Sequence, residues 1–217
     1  MTELEAALRD MLGPSVAVAL TDPRDPVDDL MPEERAHIAR AIPKRRFEFA
    51  AGRRAARQAL AQLGLPPTAI PQAPDRSPMW PEGLAGSITH CDTLCIAALA
   101  PQTCHRSLGI DIEPATPLSA DLEPVIATPS EQRALAALPP ARRLHMAKQI
   151  FCAKEALYKA QYPVTGIRFG FQDVTLDLTA EQGLIWQNPP EALECKAPLV
   201  IPVKTVEGTV LAACGLS

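Results

Sequence analysis

The spacing of hydrophobic and polar positions predicts helices in three parts of the chain. Between residues 44 and 63, apolar and small side chains recur every three or four positions, as they do on the buried face of an α-helix. Gly64, Pro66 and Pro67 follow, and such residues are typical of the end of a helix. A second strong helical pattern covers residues 141–161, and a shorter one covers residues 2–12.

Runs of alternating or continuous apolar residues predict strands elsewhere. In the first half they cover residues 15–20, 84–90, 93–100 and 107–114, and in the second half they lie within 173–178, 184–187, 198–206 and 209–216. A turn-rich segment, 22–34, leads into a further helix, and the proline-rich segment 114–140 reads as a linker around a short helix. Because a helix is followed by strands in each half, the pattern predicts two similar α+β lobes.

Composition argues against several classes of protein. The net charge of the 217 residues is −4, whereas sequence-general binding of nucleic acid requires a basic surplus. No apolar run approaches the roughly 20 residues of a membrane-spanning helix. The start of the chain, MTELEAALRDML, lacks the basic beginning of a secretory signal. We therefore expect a cytoplasmic protein without a membrane span and without a nucleic-acid partner.

The six cysteines, at positions 91, 95, 104, 152, 195 and 214, are expected to be buried free thiols. A chain of this length does not need a disulfide framework. Cys91 and Cys95 lie beside His90, which suggests zinc, but no second pair of ligands follows.

A pair of carboxylates lies in the predicted strand 107–114. Asp111 and Glu113 are two residues apart, so they point to the same face of the strand. They repel each other unless a cation lies between them, and hard oxygen ligands of this kind suit Mg²⁺. Gly109, just before them, lets another backbone or a ligand come close. The alternative is a solvated strand face, which a short motif alone does not exclude.

The helix predicted over 141–161 carries a second charged pair, Glu155 and Lys159, on a stripe distinct from the apolar one. The simpler interpretation is a surface salt bridge worth about 0.3 kcal/mol. Phe151 and Tyr158 beside the pair indicate instead a half-buried site. Lys154 lies close to the apolar stripe and needs a partner there.

Two further segments could bind an anion. In GSITH, residues 86–90, Ser87, Thr89 and His90 can donate hydrogen bonds to phosphate, although a histidine satisfied in a core or loop is the commoner case. The first turn of the helix 44–63 is crowded with cations that oppose the helix dipole unless an anion binds there. The basic residues of this region are Lys44, Arg45, Arg46, Arg53, Arg57 and, further along, Arg76. A solvated basic face is the alternative.

Taken in order, six segments resemble the monomeric, double-lobed 4′-phosphopantetheinyl transferases. They are RRFEFAAGR, RSPMWPEG, GSITHC, LGIDIEP, FCAKEALYKAQYP and FGFQDV, and they lie between residues 44 and 173. The likeness is to the bacterial branch that serves enterobactin-like and mycobacterial lipid and siderophore assembly lines. It implies an α+β fold in which two similar lobes pack as a pseudo-dimer, and a monomeric protein. Residues 1–108 would form the lobe that contacts coenzyme A, and residues 109–217 the lobe with the metal carboxylates and the catalytic helix.

The resemblance also implies a role for each matching residue. The metal ligands would be Asp111, Glu113 and Glu155, with Mg²⁺ as the ion and Mn²⁺ as the alternative. The catalytic residues would be Glu155, Lys159 and His90, with Lys159 beside the scissile pyrophosphate. The implied coenzyme A ligands are Arg45, Arg53, Arg76, Thr89, His90, Asp111, Glu155, Lys159 and Phe169. Gln72 stands where relatives often have a basic residue, and Cys152 where many have serine.

The implied reaction moves 4′-phosphopantetheine from coenzyme A to a serine of an apo acyl, peptidyl or aryl carrier domain, as in siderophore, polyketide and nonribosomal peptide biosynthesis. The other product is adenosine 3′,5′-bisphosphate. Two alternatives are a coenzyme A-binding protein without turnover and a metal-dependent phosphohydrolase. The three carboxylates argue against the first, because an anion binder gains nothing from added negative charge. The long basic helix argues against the second.

Overall fold

The computed structural model describes residues 1–26, 28–178, 183–193 and 198–217. Helices and strands are mixed along the chain, and the predicted α+β class is confirmed. The chain divides into two compact units, one of Met1–Leu108 with Ser217 and the other of Gly109–Leu216. Each unit has its own long helix, and the first unit has one sheet whereas the second has two.

The first unit is built around one long helix and a three-stranded sheet. Its helices are α1 (Glu3–Leu12), α2 (Pro32–Ile38) and α3 (Pro43–Gln62), and its strands are β1 (Ala17–Thr21), β2 (Leu84–His90) and β3 (Cys95–Pro101). The strands are antiparallel in the order β1-β3-β2. A capping box between Thr2 and Glu5 begins α1, and it satisfies donors that the first turn of a helix leaves unpaired.

Helix α3 covers this sheet with small residues. Ala55, Ala56 and Ala59 are fully buried in one cluster with Ala97 and Leu99 of β3. Because alanine side chains are short, the helix can lie close to the strands, and this packing buries apolar surface. The packing positions the first turn of α3 and the end of β2, where the candidate anion-binding residues of this unit lie.

The second unit contains two small sheets and the longest helix. Strand β4 (Ser107–Pro114) leads into it, and the helices α4 (Glu123–Ile126), α5 (Pro129–Ala136) and α6 (Pro140–Thr165) follow. The remaining strands are β5 (Leu176–Asp177), β6 (Leu184–Trp186), β7 (Leu199–Ile201), β8 (Val203–Val206) and β9 (Thr209–Leu216). One sheet has the order β4-β9-β8 and the other the order β5-β6-β7.

Several element boundaries differ from the predicted ones. The segment 114–140 holds two helices, α4 and α5, rather than one, and the second begins with a capping box between Thr128 and Glu131. Helix α6 continues past Pro163 until Gly166, whose left-handed backbone (φ 66°) ends it. The predicted strand 198–206 is divided at Pro202 into β7 and β8, because proline has no N–H to continue a ladder.

In the part of the chain that the structure describes, no helix is both long and apolar enough to cross a membrane. The prediction of buried free thiols is right for Cys95, Cys152 and Cys214 and wrong for Cys104, which is exposed because it lies in the turn after β3. Cys91 is half-buried, and Cys195 lies outside the described residues.

Candidate active site

Strand β4 and helix α6 approach each other closely at Gly109. A Cβ atom at this position would lie 1.9 Å from the Ala156 carbonyl oxygen and 2.5 Å from the Ala160 nitrogen, much closer than any side-chain carbon can come. The close approach that the glycine predicted is therefore made by the backbone of α6. It brings the carboxylates that follow Gly109 within reach of the charged residues of the helix.

The carboxylate of Asp111 binds a lysine of α6. Asp111 is only 5 % exposed, and its Oδ1 accepts a hydrogen bond of 2.6 Å from the Lys159 ammonium. Lys159 also donates to the Ile110 carbonyl at 3.1 Å. Lys159 thus bonds to the strand, whereas the simpler interpretation of the sequence paired it with Glu155 on its own helix.

Glu113 binds a second lysine of the same helix. The Nζ atom of Lys148 lies 3.1 Å from Glu113 Oε2, and the two side chains are 12 % and 25 % exposed. Both carboxylates of β4 therefore reach α6, as expected for positions two residues apart on a strand. Sequence reasoning missed Lys148, although it precedes Glu155 by seven residues and so shares its helix face.

Glu155 lies on this face of α6, between the two lysines. Its pKa is raised above the usual value, chiefly because the carboxyl is buried; Asp111 and Glu113 raise it further, and Lys159 opposes them. The negative charges of Asp111 and Glu113 therefore disfavour the ionised form of Glu155. A carboxylate with a raised pKa binds a proton more tightly than an ordinary glutamate does, and this suits a general base.

The oxygen atoms of Asp111, Glu113 and Glu155 fit a hard cation such as Mg²⁺ chemically. Within the described part of the chain, however, no three histidine, cysteine, aspartate or glutamate side chains already stand in a metal-binding arrangement. Lysine ammonium groups hold two of the three carboxylates instead. An ion at this site would therefore require these side chains to rearrange.

An aromatic pocket of about 220 Å³ adjoins Glu155. Phe169 lies in its wall, edge-on to Tyr158 at 5.3 Å between ring centroids and 5.7 Å from Trp186. Lys154, the residue that needed a buried partner, also lines this pocket. It is 1 % exposed and donates to Glu131 Oε2 at 2.7 Å and to two backbone carbonyls. Glu131 also accepts from the backbone of Thr128 and Leu176, so this buried pair fixes the segments around the pocket.

In the first unit, the end of β2 meets the first turn of α3. His90 Nε2 lies 3.4 Å from Arg45 Nη1 and 3.7 Å from Glu48 Oε2. Arg45 also pairs with Glu48 at 3.3 Å. Two predicted ligands of coenzyme A thus lie together, and Glu48, which sequence reasoning missed, holds them; its position one helical turn after Arg45 is the signal that could have identified it.

Arg53 is buried, and so it does not lie on a solvated face of α3. It is 6 % exposed, donates from Nε to the Ile70 carbonyl at 2.9 Å, and lies 3.9 Å over the Phe49 ring. Burial lowers its pKa to about 10, so it remains charged at neutral pH. Its Nη2 atom is buried and makes no hydrogen bond within the described part of the chain.

The other arginines of α3 are held by internal partners. Arg57 forms two bonds to the fully buried Glu34, at 2.9 and 3.0 Å, and Arg54 pairs with Asp29 at 2.9 Å. Arg46 donates to the Ala39 and Ala41 carbonyls. The alternative of a solvated basic face is therefore wrong for Arg53 and Arg57, whereas Lys44, Arg45 and Arg46 are exposed, as that alternative expects.

Two further predicted phosphate ligands, Thr89 and Arg76, differ from each other in their exposure to solvent. Thr89 is 3 % exposed on β2, and Arg76 is exposed in a loop with a left-handed backbone (φ 75°). Gln72 donates to the Arg76 carbonyl at 2.9 Å, so its side-chain amide holds the loop in shape.

Comparison with known proteins identifies the family. A family model described as the 4′-phosphopantetheinyl transferase N-terminal domain matches residues 33–100, and one described as the 4′-phosphopantetheinyl transferase superfamily matches residues 107–204. The 4′-phosphopantetheinyl transferase Svp of Streptomyces mobaraensis is 46 % identical over 176 residues, which are 78 % of this chain and 71 % of that protein.

Two further relatives carry the same description. The 4′-phosphopantetheinyl transferase Npt of Nocardia iowensis is 41 % identical over 152 residues, 70 % of this chain and 68 % of that protein. PptT of Mycobacterium tuberculosis is 43 % identical over 143 residues, 66 % of this chain and 63 % of that protein.

The chain belongs to the 4′-phosphopantetheinyl transferase superfamily. It is an enzyme of that class, which transfers phosphopantetheine to carrier proteins with coenzyme A as the substrate. This membership favours transfer over the two alternatives, a binding protein without turnover and a phosphohydrolase.

Proposed function

We propose that the β4–α6 site of the second unit carries out the transfer, with Asp111, Glu113 and Glu155 as the ligands of Mg²⁺ and Mn²⁺ as an alternative ion. The observation that supports this most is the burial of Glu155 beside Asp111 and Glu113, which raises its pKa. Three carboxylates in one place repel each other, and a divalent cation relieves that repulsion. The bound ion would neutralise charge on the pyrophosphate of coenzyme A.

Glu155 is the proposed general base. The carrier serine oxygen forms a bond to the β-phosphorus of coenzyme A, and the bond from that phosphorus to the bridging oxygen breaks. Adenosine 3′,5′-bisphosphate leaves with the bonding electrons, and the serine proton passes to a carboxylate oxygen of Glu155 directly or through water. Lys159, whose ammonium can turn from Asp111 to the leaving phosphate, stabilises the charge that develops there.

Residues of the first unit are proposed to bind the phosphates of coenzyme A. Arg45 and His90 are already adjacent, and charge-assisted hydrogen bonds to phosphate are among the stronger ones. The unsatisfied Nη2 of Arg53 would gain a partner from the adenosine 3′-phosphate. Arg76 and Thr89 complete the proposed set, and Phe169 would line the path of the pantetheine arm in the aromatic pocket.

The proposed carriers are apo acyl, peptidyl or aryl carrier domains of siderophore, polyketide and nonribosomal peptide synthetases, in line with the motifs that the chain shares with enzymes of those pathways. We further propose that the enzyme works as a cytoplasmic monomer. The net charge of −4 gives no global attraction to an acidic carrier, so recognition must rest on local contacts.

The test is the mass of an apo carrier domain after incubation with the enzyme, coenzyme A and Mg²⁺. Transfer adds one phosphopantetheine arm to the carrier and releases adenosine 3′,5′-bisphosphate in equal amount. Release of the nucleotide without a change in carrier mass would indicate a phosphohydrolase, and binding of coenzyme A without either product would indicate a binding protein. A panel of carrier domains in the same assay identifies the preferred partner.

Lys159→Ala tests the assignment of the reacting site. Loss of one electrostatic stabiliser of a transition state costs about a hundredfold or more in turnover, whereas loss of a surface ion pair changes turnover little. Wild-type turnover in this variant would remove Lys159 from the site.

A further inference from the structure

Lys148 is the charged residue of the β4–α6 site to which the proposed reaction gives no role. It lies on the same stripe of α6 as Cys152, Glu155 and Lys159, at successive spacings of four, three and four. These spacings place residues on one face of a helix. The stripe meets β4, since Lys148 and Lys159 each bind a carboxylate of that strand.

The ion pair of Lys148 is shielded from solvent and uses the carboxylate proposed to bind metal. Its Nζ atom lies 3.1 Å from Glu113 Oε2, and the lysine side chain is only 12 % exposed. Asp111 and Glu113, two residues apart on β4, are each held by one ammonium group of α6. A divalent cation brings the same charge as those two groups together, so the ion and the lysines compete for the same oxygens.

We propose that Lys148 is a positioning residue that holds Glu113 in the metal-free enzyme and gives it up when the divalent cation binds. The inference rests on the proposed metal site. Lys148 keeps the carboxylates together before the ion arrives, because without it Glu113 and Asp111 would repel each other. The same ion pair weakens metal binding, since it must be broken first. Removal of the ammonium should therefore tighten metal binding and destabilise the metal-free protein.

The contrast with Lys159 supports a separate role for Lys148. Lys159 is more exposed, at 28 %, and donates to a backbone carbonyl as well as to Asp111, so it retains a partner when the carboxylate turns to the ion. Glu113 is the one ion-pair partner that the described structure gives Lys148. Lys148 is therefore the group whose loss should change the affinity for metal most directly.

The test measures Mn²⁺ binding to the full chain without coenzyme A, by electron paramagnetic resonance of the free ion, together with thermal melting. In Lys148→Met the dissociation constant for Mn²⁺ should fall roughly two- to fivefold, as expected when an ion pair worth at most about 1 kcal/mol no longer has to be broken. The melting temperature without metal should fall, and the increase on adding Mn²⁺ should exceed that of the wild type. Lys148→Arg, which keeps the charge, should behave as the wild type.

Arg143→Met is the matched control. Arg143 lies on the same helix and forms a two-point ion pair with Glu123 at 2.8 and 2.6 Å, so its removal should lower the melting temperature without a change in Mn²⁺ affinity. If circular dichroism shows that Lys148→Met does not fold, Lys148→Gln is used instead. It should show the same tighter Mn²⁺ binding and the same lower melting temperature without metal.

Glu113→Gln separates failure of the inference from failure of the proposed site. If this variant and Asp111→Asn bind Mn²⁺ as the wild type does, the metal site itself is wrong. If Glu113→Gln weakens binding while Lys148→Met leaves it unchanged or weakens it, the metal site stands and the role of Lys148 is overturned.

Discussion

At the scale of single residues, the burial of charge determines what Glu155 can do. A carboxyl whose pKa is raised by burial and by neighbouring carboxylates holds its proton more tightly in the folded protein than in the unfolded chain. Such a group stabilises the fold most when it is protonated. This stabilisation is lost as the pH rises above the pKa of glutamate in the unfolded chain and through the raised pKa of the folded protein. Ionised Glu155 therefore contributes less to the stability of the fold than protonated Glu155 does.

Glu155→Gln should separate catalysis from stability. The amide keeps the shape of the protonated acid, so the metal-free variant should melt at the wild-type temperature at acidic pH and at a higher temperature than the wild type at pH 7–8. Turnover should fall at least a hundredfold, because the proposed metal ligand and the proposed base are both lost. Melting curves between pH 4 and 8, with and without Mg²⁺, check the first point. A variant that is less stable than the wild type at pH 8 without metal would contradict it.

Arg53 combines a structural and a proposed binding role, and the two can be measured apart. Arg53→Ala removes the donor to the Ile70 carbonyl, which should cost about 1–3 kcal/mol of stability. If Nη2 binds the 3′-phosphate, the variant should also lose more than tenfold in affinity for coenzyme A, and much less for dephospho-coenzyme A, because a charge-assisted bond contributes about 1.5–3 kcal/mol.

Arg57→Ala is the control for that experiment. Arg57 lies one turn further along α3 and binds the buried Glu34. Its loss should therefore lower stability and weaken the binding of coenzyme A and of dephospho-coenzyme A by the same factor. The same pattern in Arg53→Ala would leave Arg53 as a purely structural residue.

At the scale of elements, the approach of β4 to α6 depends on one missing side chain. Gly109→Ala would place a Cβ atom 1.9 Å from a backbone oxygen of α6, and a helix backbone cannot give way as a flexible side chain can. The helix must move from the strand, which should cost about 1–3 kcal/mol or more and separate Asp111 from Lys159. We expect a lower melting temperature and a loss of turnover in the same variant.

Gly170→Ala provides the comparison. Its backbone has φ −96°, and the nearest atom to an added Cβ is 3.7 Å away, so the melting temperature should change little. Equal melting temperatures for the two alanine variants would show that the close packing of β4 on α6 does not hold in solution.

Much at this scale could be predicted from the sequence because the relevant signals are local. The apolar spacing of α3, and the glycine and prolines after it, depend on neighbouring residues, and the helix ends at Gln62 as expected within two residues. The prolines of the segment 114–140 predict a linker around one short helix. Its two short helices are held instead by distant partners, such as Lys154 with the Ile126 carbonyl and Glu131.

At the scale of the whole molecule, the order of motifs predicted the family, and the matches to residues 33–100 and 107–204 confirm it. The partners of the basic residues could not be predicted in the same way. Arg57 binds Glu34, 23 residues away, and Lys148 binds Glu113, 35 residues away. The spacing of apolar and polar residues does not indicate such pairs, because the partners come together only when the helices and strands pack.

In the whole enzyme, the binding of Mg²⁺ and the binding of coenzyme A should be thermodynamically coupled. If Mg²⁺ binds the carboxylates of the second unit together with the pyrophosphate of coenzyme A, each ligand must raise the affinity for the other by the same factor, because a coupling free energy is reciprocal. We expect a factor of roughly 5–150, measured as the ratio of coenzyme A dissociation constants without and with Mg²⁺, and again as the ratio for Mg²⁺ without and with coenzyme A.

Asp111→Asn should reduce this factor to about one, because it removes a proposed metal ligand while leaving the proposed phosphate-binding residues of the first unit intact. Arg57→Ala, which is outside the proposed set of ligands, should keep the factor. Thermal melting gives an independent reading, since a ligand at a hundred times its dissociation constant stabilises the folded state by about 2.7 kcal/mol. If wild-type enzyme binds coenzyme A equally well with and without Mg²⁺, the ion does not contact the pyrophosphate, and the carboxylates of β4 and α6 must serve the reaction in another way.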